Sequence, residues 1–284
     1  MNPYNIETLK RYGIIGNPLG HSYSEKYFTE LFMREGIDAS YGAYQIADIT
    51  EAIPLLEALE GMNVTYPYKE AIIPYLRDMD AAARMIGAVN VVHKGKGYNT
   101  DWIGFRDSLR KVLQETDQRA LLLGTGGVSK AIQYALRELG IGYTLVSRKA
   151  IEHPTNPRGL SGTPLRRLGE RAPQNASVFG DPAKAMRRLG DEAIGYQDID
   201  EQVMAEHQII VNCTPLGMHP YEDQWPDIPY QHLTEKHLLY DCIYNPEKTL
   251  FLQKGEEQGC RIKNGLEMLH LQADEAWSVW SLGV

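Results

Sequence analysis

Lys69 closes the stretch NVTYPYK, where a short apolar run gives way to Thr65, Tyr66 and Tyr68. An ammonium held at the end of a buried strand stabilises developing negative charge and can pass a proton, whereas a lysine on a first helical turn is ordinarily just solvated. Which applies depends on what else the chain brings to that place. A second chemical stretch is GTGGVS, with Gly124 and Gly126 at the first two positions of a dinucleotide-binding turn and Ser129 at the third. It follows the apolar run ALLL and opens a helix, where free N–H groups and the helix dipole favour a pyrophosphate over a turn that is merely tight.

The end of the next strand bears on which nicotinamide cofactor fits. NAD-selective sites place an acid there to accept hydrogen bonds from the ribose, but this chain has Ser147, Arg148 and Lys149. An acid would repel a 2′-phosphate, while Arg148 can grip it bidentately and cover the adenine. NADP is the expected cofactor, against the alternative of a basic strand end on the surface.

The elements that must position these groups read as α/β. In the first hundred residues the apolar runs YGIIG, YGAYQI, GMNVTYP and AVNVVHK alternate with helical patterns in SEKYFTELFMREGI and ITEAIPLLEALE. That alternation predicts a largely parallel sheet, with functional groups collecting at strand ends. WIGFRDSLRKVL bridges to a second unit, which opens with the βαβ pattern ALLLGTGGVSKAIQYALRELGIGYTLVSRK and continues through the strands QIIVNCTP and HLLYDCIY. TLFLQKGEEQG reads as a helix stopped by Gly259. The tryptophans of the last helix, GLEMLHLQADEAWSVWSL, need a surface to cover, and packing on the first unit would make that unit discontinuous. The expected division is a substrate domain of residues 1–104 and 263–284 and a Rossmann domain of residues 105–262, with an insertion at about 150–195. The insertion is rich in Pro, Gly and Arg, and DPAKAMRRLG within it suits a short helix capped by Asp181.

A chain of 284 residues with net charge -8 can fill two domains and offers no electrostatic footprint for nucleic acid. No apolar run approaches the length of a membrane span, and MNPYNIETLK lacks the pattern of a secretion signal, so a cytoplasmic protein with a small-molecule partner is expected, as monomer or homodimer. Cys213, Cys242 and Cys260 are odd in number and widely spaced, and the histidines form no HExxH, so neither a disulfide framework nor a metal is expected.

The ordered set GNPLGHSYS, NVTYPYK, IGAVN, NTD, GTGGVSKAI, NCTPLGM, YDCIYNPEKTLFL and GLEMLHLQA resembles the shikimate/quinate dehydrogenase family along nearly the whole chain. The resemblance implies an active site in the cleft between a substrate domain and a Rossmann domain, and reversible NADPH-dependent reduction of 3-dehydroshikimate to shikimate. By it Lys69 and Asp101 are the catalytic pair, Ser22 and Ser24 take the substrate carboxylate, and Thr65, Asn90, Tyr244 and Gln272 meet the rest of the substrate. Gly124, Thr125, Gly126, Gly127, Val128, Ser147, Arg148, Lys149, Met218, Cys242 and Gly265 match cofactor contacts, with Met218 equally able to fill a core position. The chain departs from the family at Glu25 and Phe28, at Trp102 beside Asp101, and in the length of the segment after Lys149. Competing readings are a quinate/shikimate dehydrogenase using NAD, a relative acting on an amino analogue, and a sensor that binds pathway metabolites without chemistry. The joint presence of Lys69 and Asp101 favours catalysis, and NTD with GLEMLHLQA separates the chain from methylenetetrahydrofolate dehydrogenases, which share the two-domain plan.

Overall fold

The alternating runs fold into two six-stranded sheets with helices packed on them, in a computed structural model that describes residues 9–19, 23–148 and 192–282. The first sheet holds β1 (Lys10–Gly16), β2 (Ala39–Gln45), β3 (Gly61–Val64), β4 (Asp78–Met79), β5 (Val91–His93) and β6 (Lys96–Tyr98), in the order β2-β1-β3-β5-β6-β4. β1 pairs in parallel with β2 and β3, and β4 with β6, while β5 runs antiparallel to β3 and β6. The continuous apolar run of β1 is buried from Tyr12 to Gly16, as a strand covered on both faces requires. α1 (Tyr23–Glu35), α2 (Ile53–Ala58) and α3 (Ala81–Ile86) connect these strands. α3 starts where the Asp80 carboxylate accepts from the Ala83 N–H and stops at Gly87 in the left-handed region. Phe28, one of the departures from the family pattern, is fully buried and stacks on Tyr41 at 4.8 Å, whereas Glu25 is exposed in the first turn of α1.

The second sheet holds β7 (Arg119–Leu123), β8 (Gly142–Ser147), β9 (Glu192–Gly195), β10 (Ile209–Asn212), β11 (Leu238–Asp241) and β12 (Arg261–Lys263), and every ladder in it is parallel. Its order, β12-β11-β10-β7-β8-β9, is that of a doubly wound dinucleotide-binding sheet, with the topological switch between β7 and β10. Around it run α4 (Asp101–Arg110), α5 (Gly127–Glu138), α6 (Glu201–Glu206), α7 (Leu250–Glu257) and α8 (Leu266–Leu282). Residues 192–195, counted from sequence with the insertion, form the edge strand β9 in register with Thr144–Ser147. The Asp181-capped helix lies outside the described residues.

Two helices tie the sheets together. α4 sends Phe105 and Leu109 into the core of the second sheet, where Phe105 meets Tyr240 edge-on at 4.8 Å and the Tyr240 hydroxyl donates to Ser108 at 3.0 Å. α8 returns to the first sheet as its tryptophans require: Trp280 packs within 5.1 Å of Tyr12 and 5.0 Å of Phe28, and its indole N–H donates to the Val92 carbonyl at 3.1 Å. Burying a side chain such as Phe28 contributes about 1.5–3 kcal/mol, so this aromatic cluster fastens the C-terminal helix firmly to the N-terminal sheet. Among the described residues, no helix is long and apolar enough to cross a membrane.

Candidate active site

Lys69 is held by the backbone on either side of it. β3 ends at Val64, the Thr65 N–H donates to the Ile15 carbonyl at 3.0 Å, and the buried Tyr68 anchors its hydroxyl on the Ile46 carbonyl at 2.8 Å. The Lys69 carbonyl itself accepts from the Val89 N–H at 2.8 Å. These bonds fix the start of a side chain whose stem runs past the first residue of α5, so that a Cβ added to Gly127 would sit 3.8 Å from Lys69 Cδ. The lysine therefore lies between the two sheets. Its Nζ donates to Asp101 Oδ2 at 2.7 Å, with the Lys69 side chain 19% and the Asp101 side chain 8% exposed.

Asp101 opens α4, where the helix dipole favours a carboxylate. The residues before it act as its frame. The Asp101 N–H donates to Asn99 Oδ1 at 3.1 Å, Asn99 Nδ2 donates to the Ala88 carbonyl at 2.9 Å, and the Thr100 N–H donates to Asn90 Oδ1 at 2.7 Å. Asn90 Nδ2 lies 3.0 Å from Asp101 Oδ1, 3.0 Å from Thr100 Oγ1 and 3.3 Å from Gln272 Oε1. Thr100 Oγ1 donates to the Gln272 carbonyl at 2.9 Å. A buried ion pair offsets its desolvation only when its remaining oxygens find donors, and this cluster supplies them. Asn99 and Thr100 were not picked out as functional from sequence, although their place directly before Asp101 is the signal that marks them.

Beside the first sheet, the Tyr41 hydroxyl donates to Asn63 Oδ1 at 2.6 Å, and burial, opposed by the nearby Ser24 hydroxyl, pushes the Tyr41 phenol well up. Tyr244 follows β11 half-buried, its ring edge-on to Tyr23 at 5.7 Å. The Tyr23 hydroxyl hydrogen-bonds His270 of α8, and Tyr27 donates to Asp274. This wall of Tyr23, Tyr27 and His270 joins residues 247 apart in the chain, so no local spacing signals it. Ser22 lies outside the described residues.

On the cofactor side, Gly124 has φ +105°, a conformation that side chains resist, and its N–H donates to the Val146 carbonyl at 3.0 Å. Thr125 and Gly126 are exposed, and Gly126 caps α5 without any side-chain bond, leaving the first N–H groups of the helix open to an anion. Nothing lies within 4 Å of a Cβ placed on Gly126, so a phosphate has room at the turn. Val128 packs against the core below. Ser147 ends β8, and Arg148 follows it, exposed and close enough to Tyr196 to act on that phenol's charge. Lys149 lies outside the described residues. Gly265 is wedged against the Cys242 backbone, where a Cβ would fall 2.3 Å from the Cys242 carbonyl oxygen. Met218 is 43% exposed, which removes the core role considered for it. Below these groups Asp241 accepts from Thr249 at 2.5 Å, the Ile243 N–H at 3.0 Å and Asn212 at 3.1 Å, while burial pushes its carboxyl up to about 7.

Lys69, Asp101, Asn90 and Gln272 thus form one bonded cluster, bordered by Gly127, and Asp101 acts on the charge of Cys242. Arg148 stands apart from them at the carboxyl end of β8. Trp102 packs edge-on against Tyr134 of α5 at 5.0 Å with Arg106 covering its ring at 4.7 Å, so the bulky residue beside Asp101 joins α4 to α5.

A sheet of the doubly wound dinucleotide-binding order faces a second α/β sheet across a lysine–aspartate pair, an arrangement that suits a nicotinamide-dependent dehydrogenase. Residues 14–92 match the model of the shikimate dehydrogenase substrate binding domain. The shikimate dehydrogenase (NADP(+)) of Carboxydothermus hydrogenoformans is 36% identical over 98% of this chain and 93% of its own length. The crystal structure of shikimate dehydrogenase from Aquifex aeolicus superposes with a TM-score of 0.77 at 31% identity, covering 96% of this chain and 93% of that one. The Thermus thermophilus enzyme, solved in complex with NADP(H) and shikimate, has a TM-score of 0.76 at 26% identity, over 97% of this chain and 94% of that one. The chain belongs to the shikimate dehydrogenase family.

Proposed function

We propose that this chain catalyses the reversible reduction of 3-dehydroshikimate to shikimate with NADPH. The observation that carries the mechanism is the Lys69–Asp101 pair, 2.7 Å apart between the two sheets. NADPH supplies the hydride when bound. As the ketone is reduced, negative charge gathers on its oxygen, and Lys69 Nζ stabilises that charge by a hydrogen bond and delivers the proton. Asp101 holds the Lys69 ammonium by a 2.7 Å hydrogen bond and so orients the proton donor. In the reverse direction Lys69 Nζ is the group placed to take the hydroxyl proton as the hydride leaves.

Ser22 and Ser24 are assigned to the substrate carboxylate, and Thr65, Asn90, Tyr244 and Gln272 to its hydroxyls and ring edge, each chemically suited to the task. The open N–H groups at Thr125 to Val128 suit the pyrophosphate, Ser147, Arg148 and Lys149 the 2′-phosphate and adenine, and Met218, Cys242 and Gly265 the nicotinamide end. Residues 1–104 with 263–284 are assigned to the substrate domain and 105–262 to the cofactor domain. A cytoplasmic enzyme, as monomer or homodimer, fits the charge and composition.

The test is a spectrophotometric assay of the purified protein with shikimate or quinate against NADP and NAD. Shikimate with NADP should give the highest kcat/KM. Preference for quinate with NAD would move the chain to the quinate/shikimate branch, and metabolite binding by folded protein without turnover would make it a sensor.

A further inference from the structure

β10 and β11 lie side by side in parallel register with Asn212 opposite Asp241, and each strand is followed at once by a cysteine, Cys213 and Cys242. One further step of register sets the two residues opposite each other with side chains on the same face. Neighbouring strands run about 4.8 Å apart, inside the window of about 4.4–6.8 Å between the Cα atoms of a disulfide. Both backbones are held past the strand ends: the Cys242 N–H donates to the Asn212 carbonyl at 3.1 Å and the Cys213 N–H to the Leu123 carbonyl at 2.9 Å. Cys260 points elsewhere, its thiol donating to the Thr234 carbonyl at 3.3 Å.

We propose that Cys213 and Cys242 form a reversible disulfide site, closed by a small two-electron thiol oxidant of the peroxide or azo class, and that the cleft is inactive while the bond persists. With the azo compound diamide, the Cys242 sulfur adds to one nitrogen; the Cys213 sulfur then attacks the Cys242 sulfur and displaces that nitrogen. The two thiol protons and two electrons end on the oxidant, which leaves as the hydrazine. A dithiol reverses the bond by two exchange steps. Cys242 is partly exposed as a residue and Cys213 is buried. Contact with Cys213, burial and the nearby carboxylates Asp241 and Asp101 push the Cys242 thiol up, so the reaction answers to excess oxidant and not to traces. Because the Cys242 carbonyl is wedged against Gly265, pulling Cys242 toward Cys213 disturbs the entry to α8, which carries Gln272.

The expected loss of activity rests on the dehydrogenase reading, whereas the bond does not. The full chain is treated with diamide, blocked with N-ethylmaleimide, digested and mapped by mass spectrometry, with activity followed in parallel. The expected result is a linked pair of peptides carrying Cys213 and Cys242 and lacking two hydrogens, with Cys260 alkylated. Shikimate oxidation should fall with the linked fraction and return with dithiothreitol, and Cys213→Ala should keep its activity through the treatment. Alkylation of all three cysteines after diamide, a full cross-link without loss of activity, or equal loss in Cys213→Ala would overturn the proposal. If the untreated protein does not turn over shikimate, the dehydrogenase reading fails and the peptide map still decides the bond.

Discussion

Replacing Asn90 by aspartate changes one group at the centre of the cluster at nearly constant shape. Asn90 Nδ2 donates to Asp101 Oδ1 at 3.0 Å, so Asn90→Asp sets two carboxylate oxygens at that separation. At an effective dielectric of about 20, two unit charges about 3 Å apart repel by about 5.5 kcal/mol, a ceiling equivalent to about four pK units. The pair should therefore titrate as a coupled unit, with one step raised above the ordinary carboxylate range by less than that ceiling, because the Lys69 ammonium and the Thr100 N–H favour the charged forms. Below that step the site keeps its native charge and Lys69 keeps its partner. Above it an extra negative charge faces the forming alkoxide, so kcat should fall with rising pH in a way that the native enzyme does not show. Stability follows the same sign. A carboxyl whose folded pKa is raised stabilises the fold fully below its unfolded pKa and loses that contribution as pH rises through the folded one. The assay is kcat against pH for Asn90→Asp and the native chain, with urea denaturation at the same pH values. Parallel kcat profiles, or a stability difference independent of pH, would refute the electrostatic account of the cluster.

Arg148→Ala should raise KM for NADP roughly 10- to 100-fold and barely change KM for NAD, since a charge-assisted phosphate contact is worth about 1.5–3 kcal/mol; an unchanged NADP preference would place the phosphate elsewhere. Asp241, pushed up to about 7 by burial, should take stability away as pH rises from its ordinary 3.8 through that value. Asp241→Asn should therefore gain on the native protein in urea melts between about pH 4 and 7 and level off above, and a constant difference across that range would contradict the raised value. Arg261 grips the fully buried Asp117 carboxylate at 2.8 and 3.1 Å. Removing it as Arg261→Ala strands that charge, at a cost of about 3–5 kcal/mol in urea denaturation with turnover of the folded fraction retained.

Much of the site was legible because its chemistry sits where strands end. The apolar run before GTGGVS announced β7 and the helix α5, and the tryptophans of α8 announced a return to the first sheet. Lys69 and Asp101 are 32 residues apart and Asn90 and Gln272 are 182 apart, so no local spacing joins them. Only the family resemblance paired them before the fold did. The short strands β4 and β12 escaped because two or three residues, in β12 all of them half-buried, carry no periodicity. β9 was hidden in the polar segment that precedes it. The Tyr23–His270 contact and the Arg261–Asp117 pair span 247 and 144 residues and exist only once the sheets are assembled.

The central claim is that Lys69 meets charge that develops in the transition state. Steady-state kinetics of shikimate oxidation by Lys69→Ala, in protein shown to be folded, tests it most directly. A positioned acid or base contributes about 10²–10⁴-fold, so kcat should fall by that range while KM for shikimate stays near the native value. A Lys69→Ala enzyme with near-native kcat and a raised KM would contradict the account and leave the lysine as a substrate-binding group.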